Sequence, residues 1–357
     1  MKKNKTILFV STGLGLGGVA KMVHHISGVL AKDYQKVVAV TTSNNLVVQN
    51  NGVEYLEPLY EQKRGLKGYY RTIKAIRNVI KKVKPDAVIS FTTNISFCTR
   101  VATLDMKDLI VISAERGDPY SLGLKWKYPV RWAFKHSDWC FFQLEHARDF
   151  YSPTVIEKSF VIPNAAFYDG PIGIHKGIKK TITSVGRFVE EKGYKYLIEA
   201  FKIVHQKYPE YALVIYGEGP LKEEYEKQVE SLGLKRYVSF PGRVSDISQT
   251  LKDEGIFVLP SLLEGIPNVL IEALMVGIPT VSCDCNPGGP RFLTANGERG
   301  LLFPVGDVKG IVQCISRLIE DKQLYTKFEK EGPKVIDMLK PEQIEPLWVE
   351  AFNKILG

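Results

Sequence analysis

Ten short apolar runs, most of them rich in β-branched residues, recur along the 357-residue chain with helix-patterned segments between them. In the first half they are "TILFVS", "KVVAVTT", "DAVISF" and "LIVISA", separated by amphipathic stretches near 19–31, 66–84 and 127–137. In the second half they are "TITSVG", "YALVIYG", "YVSFPG", "GIFVLPS", "IPTVSC" and "GLLFP", each followed by a helix-like segment. Runs that are apolar on both faces read as strands buried on both sides, and strands alternating with helices call for parallel sheets covered by helices. One hydrophobic core rarely grows beyond about 250–300 residues, so the chain should fold as two domains. The pattern pauses at residues 164–180, "NAAFYDGPIGIHKGIKK", whose Gly, Pro and Lys suit a linker. The expected organisation is an N-terminal domain over 1–168, a C-terminal domain over 169–339 and a terminal helix over 340–357. That helix carries Ile344, Leu347, Trp348, Phe352 and Ile355 on one side and should pack back on a domain, the first being favoured. The fold class is therefore α/β, with two doubly wound Rossmann-like domains and ligands held in a cleft at the carboxyl ends of the strands.

Several classes are disfavoured by composition. The five cysteines (Cys98, Cys140, Cys283, Cys285, Cys314) show no C-x-x-C spacing, and a reducing, cytoplasmic compartment fits them. The start, "MKKNKTILFVSTGLGLGG", places lysines before an apolar run as a secretory signal does, yet the strongly apolar part is only Ile7–Val10 before a Gly-rich turn. A strand entering a loop is the better reading. No uninterrupted apolar stretch approaches the ~20 residues that cross a bilayer. Charge is uneven: residues 1–168 hold 24 Lys/Arg against 13 Asp/Glu, and residues 169–357 hold 24 against 26. The first half is built to meet something anionic.

Chemistry concentrates at strand ends of the second half. After "TITSVG" comes "RFVEEKG", which puts Arg187 and Lys192 in a loop that opens a helix. Two cations beside the N–H groups of a helix start suit a phosphate, and surface pairs with Glu190 and Glu191 are the plainer alternative. In "LPSLLEGIPNVLIEALMVG", Glu264 precedes a helix with Pro267 in its first turn, and Glu272 lies about a turn inside. Between them the N–H groups of Asn268, Val269 and Leu270 should be free to meet a second phosphate contact. Carboxylates on each side of such a cradle can accept hydrogen bonds from the two sugars of a nucleotide-sugar.

These residues resemble family-4 retaining glycosyltransferases of the GT-B fold, of the bacterial polysaccharide and lipid-linked glycan type. The family's E-G-x-P-N-V-x-x-E element stands here as "EGIPNVLIE", accompanied by "GRFVEEKG" and "YGEGP", and the likeness covers 181–305. The resemblance implies that Arg187 and Lys192 neutralise the diphosphate, Glu264 faces the donor sugar, Glu272 holds the ribose, and Arg243 and Val244 in "PGRVSD" contact the base. It also implies that Gly17 and Gly18, in "TGLGLGGVAK", come near the diphosphate. Many relatives place a histidine after the strand corresponding to "LIVISA", where this chain has Arg116. Resemblance leaves that contact open, and Glu115 with Arg116 reads equally well as a structural ion pair.

The Gly-rich loop also matches G-x-G-x-x-G at Gly13, Gly15 and Gly18, the fingerprint of dinucleotide enzymes. That reading needs an acid at the end of the second strand, which here ends "VVAVTTSNN". No D-x-D, P-loop or nucleophile elbow occurs. The expectation is a metal-independent, cofactor-free transferase, moving a hexose or N-acetylhexosamine from a UDP-sugar, or a GDP-sugar, to a lipid-linked or glycan acceptor. A GT-B phosphorylase or epimerase, and a non-catalytic sugar-nucleotide binding module, are the alternatives, and no nucleic-acid partner is expected. Residues 62–84 hold nine Lys/Arg and no acid, with Leu66, Tyr69, Tyr70, Ile73, Ile76, Ile80 and Val83 at helical spacing. Together with "KWKYPVRWAFK" and its Trp126 and Trp132, they suit an anionic membrane surface, so the expected location is peripheral, on the inner face of the cell membrane.

Overall fold

Two compact units divide the chain: Met1–Ala165 with Pro341–Gly357, and Ala166–Lys340. The computed structural model describes residues 2–15, 18–59, 65–166 and 171–357. Gly17, residues 62–64, part of the linker and the side chain of Leu66 lie outside the described residues.

In the first unit seven parallel strands, β1 (Lys3–Ser11), β2 (Tyr34–Thr41), β3 (Glu54–Tyr55), β4 (Ala87–Phe91), β5 (Ile110–Ala114), β6 (Trp139–Phe142) and β7 (Ser159–Val161), pair in the order β3-β2-β1-β4-β5-β6-β7. The order reverses direction between β1 and β4, the crevice where doubly wound sheets hold ligands. Helix α1 (Gly18–Asp33) leaves the Gly-rich loop, α2 (Leu66–Val83) and α4 (Leu124–His136) carry the basic segments, and α3 (Thr93–Ala102) runs between them.

The amphipathic face of α2 buries Ile76 and Ile80 and half-buries Tyr69, Ile73 and Val83 against Leu8, Val10 and Val38 of the sheet. Tyr70 departs from the expected stripe, being 67% exposed. In α4, Trp126 packs on Tyr69 at 4.9 Å and Trp132 on Phe97 at 6.1 Å. Both tryptophans thus face protein, and the outward apolar residues of α4 are Leu124 and Tyr128. The terminal helix Pro341–Leu356 belongs to this unit: Trp348 is fully buried and stacks on Phe141 at 4.6 Å, and Phe352 meets Tyr34 at 6.4 Å. Removing a large buried aromatic costs ~3–5 kcal/mol, so Trp348 is a principal anchor of the helix. Leu347 points the other way, 40% exposed.

The second unit is a six-stranded parallel sheet of β8 (Thr181–Val185), β9 (Ala212–Tyr216), β10 (Val238–Gly242), β11 (Ile256–Leu259), β12 (Thr280–Cys283) and β13 (Leu301–Phe303), in the order β10-β9-β8-β11-β12-β13. These are the six apolar runs of the sequence, and Ile182, Ile215, Val258 and Val281 share a core with Phe188 and Phe201. The order reverses between β8 and β11, whose register pairs Ile182 with Ile256 and Thr183 with Phe257. Glu254, only 1% exposed, stitches the amino ends of these two strands together: it accepts from Thr183 Oγ1 and Lys179 Nζ, each at 2.8 Å.

Candidate functional site

The loops after β8 and β11 meet because the backbone allows an approach that few residues tolerate. Gly193 sits at φ +65°, and a Cβ there would lie 2.2 Å from the Pro260 carbonyl oxygen. Only glycine fits. Leu262 N–H then donates to Glu191 O at 2.8 Å, tying the segment "RFVEEKG" to "LPSLLEG". A third loop joins after β12: Gly289 packs so closely on Gly265 that a Cβ would fall 1.6 Å from its oxygen. A fourth, after β9, is fixed by Phe188 N–H donating to Glu218 O at 2.8 Å.

On this frame Lys192 Nζ donates to Glu264 Oε1 at 2.5 Å, and the two side chains are 18% and 13% exposed. The pair closes across the switch point, and neither Glu190 nor Glu191 takes Lys192 among the ion pairs of the described residues. Arg187 is exposed and enters no ion pair there. The two cations expected to act together are therefore differently placed, one paired with the carboxylate meant for a sugar and one open to solvent.

The helix after Glu264 runs Asn268–Val276, with Pro267 at its N-cap rather than inside its first turn. This shift corrects one expected donor: Leu270 N–H is spent on the Pro267 carbonyl at 3.0 Å, and the Leu270 side chain is fully buried. The N–H of Asn268 and Val269 belong to the first turn, where no carbonyl of the helix can reach them. Glu272, half-buried, lies one turn further along. Arg243 pairs with Glu218, Nε to Oε2 at 2.9 Å, with both side chains largely exposed, and Val244 beside it is half-buried.

In the first unit Gly18 is exposed and opens α1, while Gly17 lies outside the described residues. The loop before them is pinned: Leu14 N–H donates to Asn45 O at 2.9 Å, and His24 Nε2 lies 2.9 Å from Leu14 O. Val47 N–H donates to the same oxygen at 2.9 Å, and because a ring lone pair would repel a carbonyl, Nε2 is the nitrogen that bears the hydrogen.

Glu115 and Arg116 are both buried, yet they do not pair through their side chains. Glu115 Oε1 accepts from the N–H groups of Arg116 and Gly117, each at 2.9 Å, and Oε2 from the Tyr151 hydroxyl at 3.2 Å. Burial raises the Glu115 carboxyl above its usual range against those bonds. Arg116 Nη1 donates to Ile162 O at 3.3 Å, and its guanidinium lies over Trp348 at 5.0 Å and Phe91 at 5.6 Å. Burial pulls its pKa down to about 9. Contact with Trp348 was invisible in the sequence, since more than two hundred residues separate the two.

Residues 172–335 match the family model "Glycosyl transferases group 1". That segment, a little under half of the chain, is similar to the group 1 glycosyl transferases, and the two doubly wound units have the GT-B fold of the structural neighbours. An uncharacterized glycosyltransferase of Haemophilus influenzae is 31% identical over 169 residues, 47% of this chain and 48% of that protein. The chain spans about half, or less, of the length of the first curated relatives it matches. End to end, over 98% of both chains, it is 23% identical to a Campylobacter jejuni enzyme named as a GalNAc-alpha-(1->4)-GalNAc-alpha-(1->3)-diNAcBac-PP-undecaprenol alpha-1,4-N-acetyl-D-galactosaminyltransferase. The crystal structure of HepE from Anabaena in complex with UDP and glucose superposes with a TM-score of 0.80 over 98% of this chain and all of that one, at 17% identity. These relatives are glycosyltransferases rather than the dinucleotide enzymes that the Gly-rich loop suggested as an alternative.

Proposed function

We propose that the protein is a retaining glycosyltransferase that moves a hexose or N-acetylhexosamine from a UDP-sugar to a lipid-linked or polysaccharide acceptor at an anionic membrane surface. The observation that carries the reading is the Lys192–Glu264 contact at the β8/β11 switch point, beside Arg187 and the start of the helix that bears Glu272. A diphosphate arriving there competes with Glu264 for Lys192. When Lys192 turns to phosphate, Glu264 is released to accept hydrogen bonds from the donor sugar, so donor binding itself assembles the site. Arg187, held in no ion pair among the described residues, completes the charge neutralisation with its planar fork. The Asn268 and Val269 N–H groups add the positive end of a helix, and Glu272 accepts from the ribose. Charge on the leaving diphosphate is thereby met by protein cations and dipoles, and no metal or cofactor is assigned a role. Relatives that act on undecaprenyl-linked glycans and a fold neighbour that binds UDP support the choice of substrates. Arg243 and Val244 remain the proposed base contacts, and Gly17 and Gly18 the proposed diphosphate contacts from the first unit.

The test is to screen UDP- and GDP-sugars for a rise in melting temperature and then to measure release of the nucleoside diphosphate with undecaprenyl-linked glycans. A protein that binds no nucleotide-sugar would overturn the reading. One that binds but never turns over would leave a binding module in its place.

A further inference from the structure

Gly186, just past the carboxyl end of β8, lacks a side chain for a spatial reason. It is not among the glycines with positive φ, so alanine would meet no backbone strain there. A Cβ would nevertheless lie 2.6 Å from the Tyr194 hydroxyl oxygen, and 3.6 and 3.7 Å from Cε and Cδ of Lys192. The first distance is a clash, and the other two are ordinary van der Waals contacts. The space left by the missing methyl is thus bordered by the hydroxyl of one residue and the stem of the other.

Neither the backbone nor the ring can retreat cheaply. Gly186 N–H donates to Tyr216 O at 2.9 Å, and its carbonyl packs so closely on Gly217 that a Cβ there would fall 1.8 Å from the oxygen. Tyr194 is buried, and its ring meets Phe188 at 5.6 Å and Tyr225 at 5.8 Å, both edge to face. It also opens the helix Tyr194–Lys207, two positions after Lys192. Close-packed interiors pass strain on rather than absorb it, so pushing this ring moves the helix start and the loop that carries the lysine. Burial raises the Tyr194 hydroxyl above its ordinary pKa, and the Glu264 carboxylate pushes it the same way. The phenol therefore stands within electrostatic reach of the Lys192–Glu264 pair.

We propose that Gly186 is a positioning residue for Lys192: its bare α-carbon, walled by the Tyr194 hydroxyl, leaves the path along which the lysine stem runs to aim Nζ at Glu264 and, in the donor complex, at the diphosphate. The inference rests on Lys192 being a diphosphate contact, as proposed above.

The experiment is calorimetric titration of UDP into the full chain and its variants. Gly186→Ala should weaken UDP by about tenfold or more, the scale of one lost charged hydrogen bond. Adding Tyr194→Phe to Gly186→Ala removes the obstructing oxygen and leaves only the two ordinary contacts with Lys192, so the double variant should recover most of the lost affinity. General damage to the fold would not be repaired by deleting a further atom. If Gly186→Ala does not fold, the double variant decides alone, because it should fold and bind UDP. In the Lys192→Ala protein, adding Gly186→Ala should cost little further affinity, since the side chain it misplaces is gone. A Gly186→Ala protein that binds UDP as wild type does, a double variant that stays weak, or a loss fully retained without Lys192 overturns the positioning role. Unchanged affinity in Lys192→Ala itself overturns the diphosphate reading and the inference with it, so the two failures are told apart.

Discussion

At its switch point the second unit sets a carboxylate and a cation against each other, whereas beside its own the first unit leaves a cation with no counterion. Lys192 and Glu264 meet at 2.5 Å, while Arg116 rests on two aromatic rings and one carbonyl. The difference extends to the whole units. The first holds 25 Lys/Arg against 16 Asp/Glu and the second 23 of each, so all the net charge of the chain resides in one unit. The same architecture thus carries two electrostatic states: a paired cation at one switch point, and beside the other a buried cation held by rings and a carbonyl.

The largest effect expected is on turnover. Glu264→Gln should lower kcat on the order of 10²-fold, about 2.7 kcal/mol, while UDP still binds. Glu272→Gln should instead weaken UDP, because the proposed ribose contact would be made in substrate and product alike. Steady-state kinetics and UDP titration of both variants separate the two roles. Equal loss of UDP affinity in both would erase the division between them.

Next come the cations. Arg187→Ala and Lys192→Ala should each weaken UDP by ~1.5–3 kcal/mol, the range for charged hydrogen bonds. They should differ in coupling, since only Lys192 has an internal partner to lose. A double-mutant cycle of Lys192→Ala with Glu264→Gln should be non-additive, and the cycle of Arg187→Ala with Glu264→Gln additive. Additivity in both would mean that the Lys192–Glu264 contact has no part in donor binding.

The second unit was the more legible of the two from sequence. All six of its strands fall within runs already visible in the sequence, and "EGIPNVLIE" marks its candidate site locally. In the first unit β3 and β7 have two and three residues, too few to show a period, and β6 reads "WCFF", aromatic rather than β-branched. Helix α3 buries Ser96, Cys98 and Thr99 beside Ile95, so its inner face does not look apolar. Partners were harder still. That Lys192 takes Glu264 rather than Glu190 or Glu191 depends on Gly193 reaching Pro260, a contact between loops that no spacing announces. The exposure of Tyr70 and the inward turn of Trp126 and Trp132 depend likewise on how α2 and α4 both lean on α3.

A stability measurement sharpens the contrast without reference to substrate. Burial works to raise the Glu254 carboxyl, but hydrogen bonds from Lys179, Thr181 and Thr183 outweigh it and hold the pKa below the usual value. A carboxyl depressed in the folded state contributes stability that is present above its unfolded pKa and is lost as pH falls through the folded one. Glu254→Gln should therefore cost about 1–3 kcal/mol near neutral pH and progressively less in acid below the ordinary glutamate range. Urea unfolding of both proteins across that range checks it. A penalty that does not shrink with acid would mean the ionised form is not what joins β8 to β11.

The smallest effect belongs to the basic surface of the first unit. Lys74, Lys81 and Lys82 of α2 are exposed, as are Tyr70 of α2 and Leu124 and Tyr128 of α4. Arg77 is not equivalent to them: its guanidinium donates to both oxygens of Asp105 and to Ala102 O, and that partner is held down to about pKa 2 chiefly by the hydrogen bond from Arg77. No helix of the described residues is long and apolar enough to cross a membrane. A reversible contact with anionic lipid would gain ~1 kcal/mol for each basic residue near the surface. Co-sedimentation should accordingly be seen with anionic and not with zwitterionic liposomes, and should weaken with salt and on replacing Lys74, Lys81 and Lys82 together by Gln. Arg77→Gln alone should change it little, because that charge is already met by Asp105. If Arg77→Gln matched the triple variant, the paired and unpaired cations of α2 would be indistinguishable to the lipid. Binding indifferent to lipid charge would remove the membrane as the anionic partner of this unit.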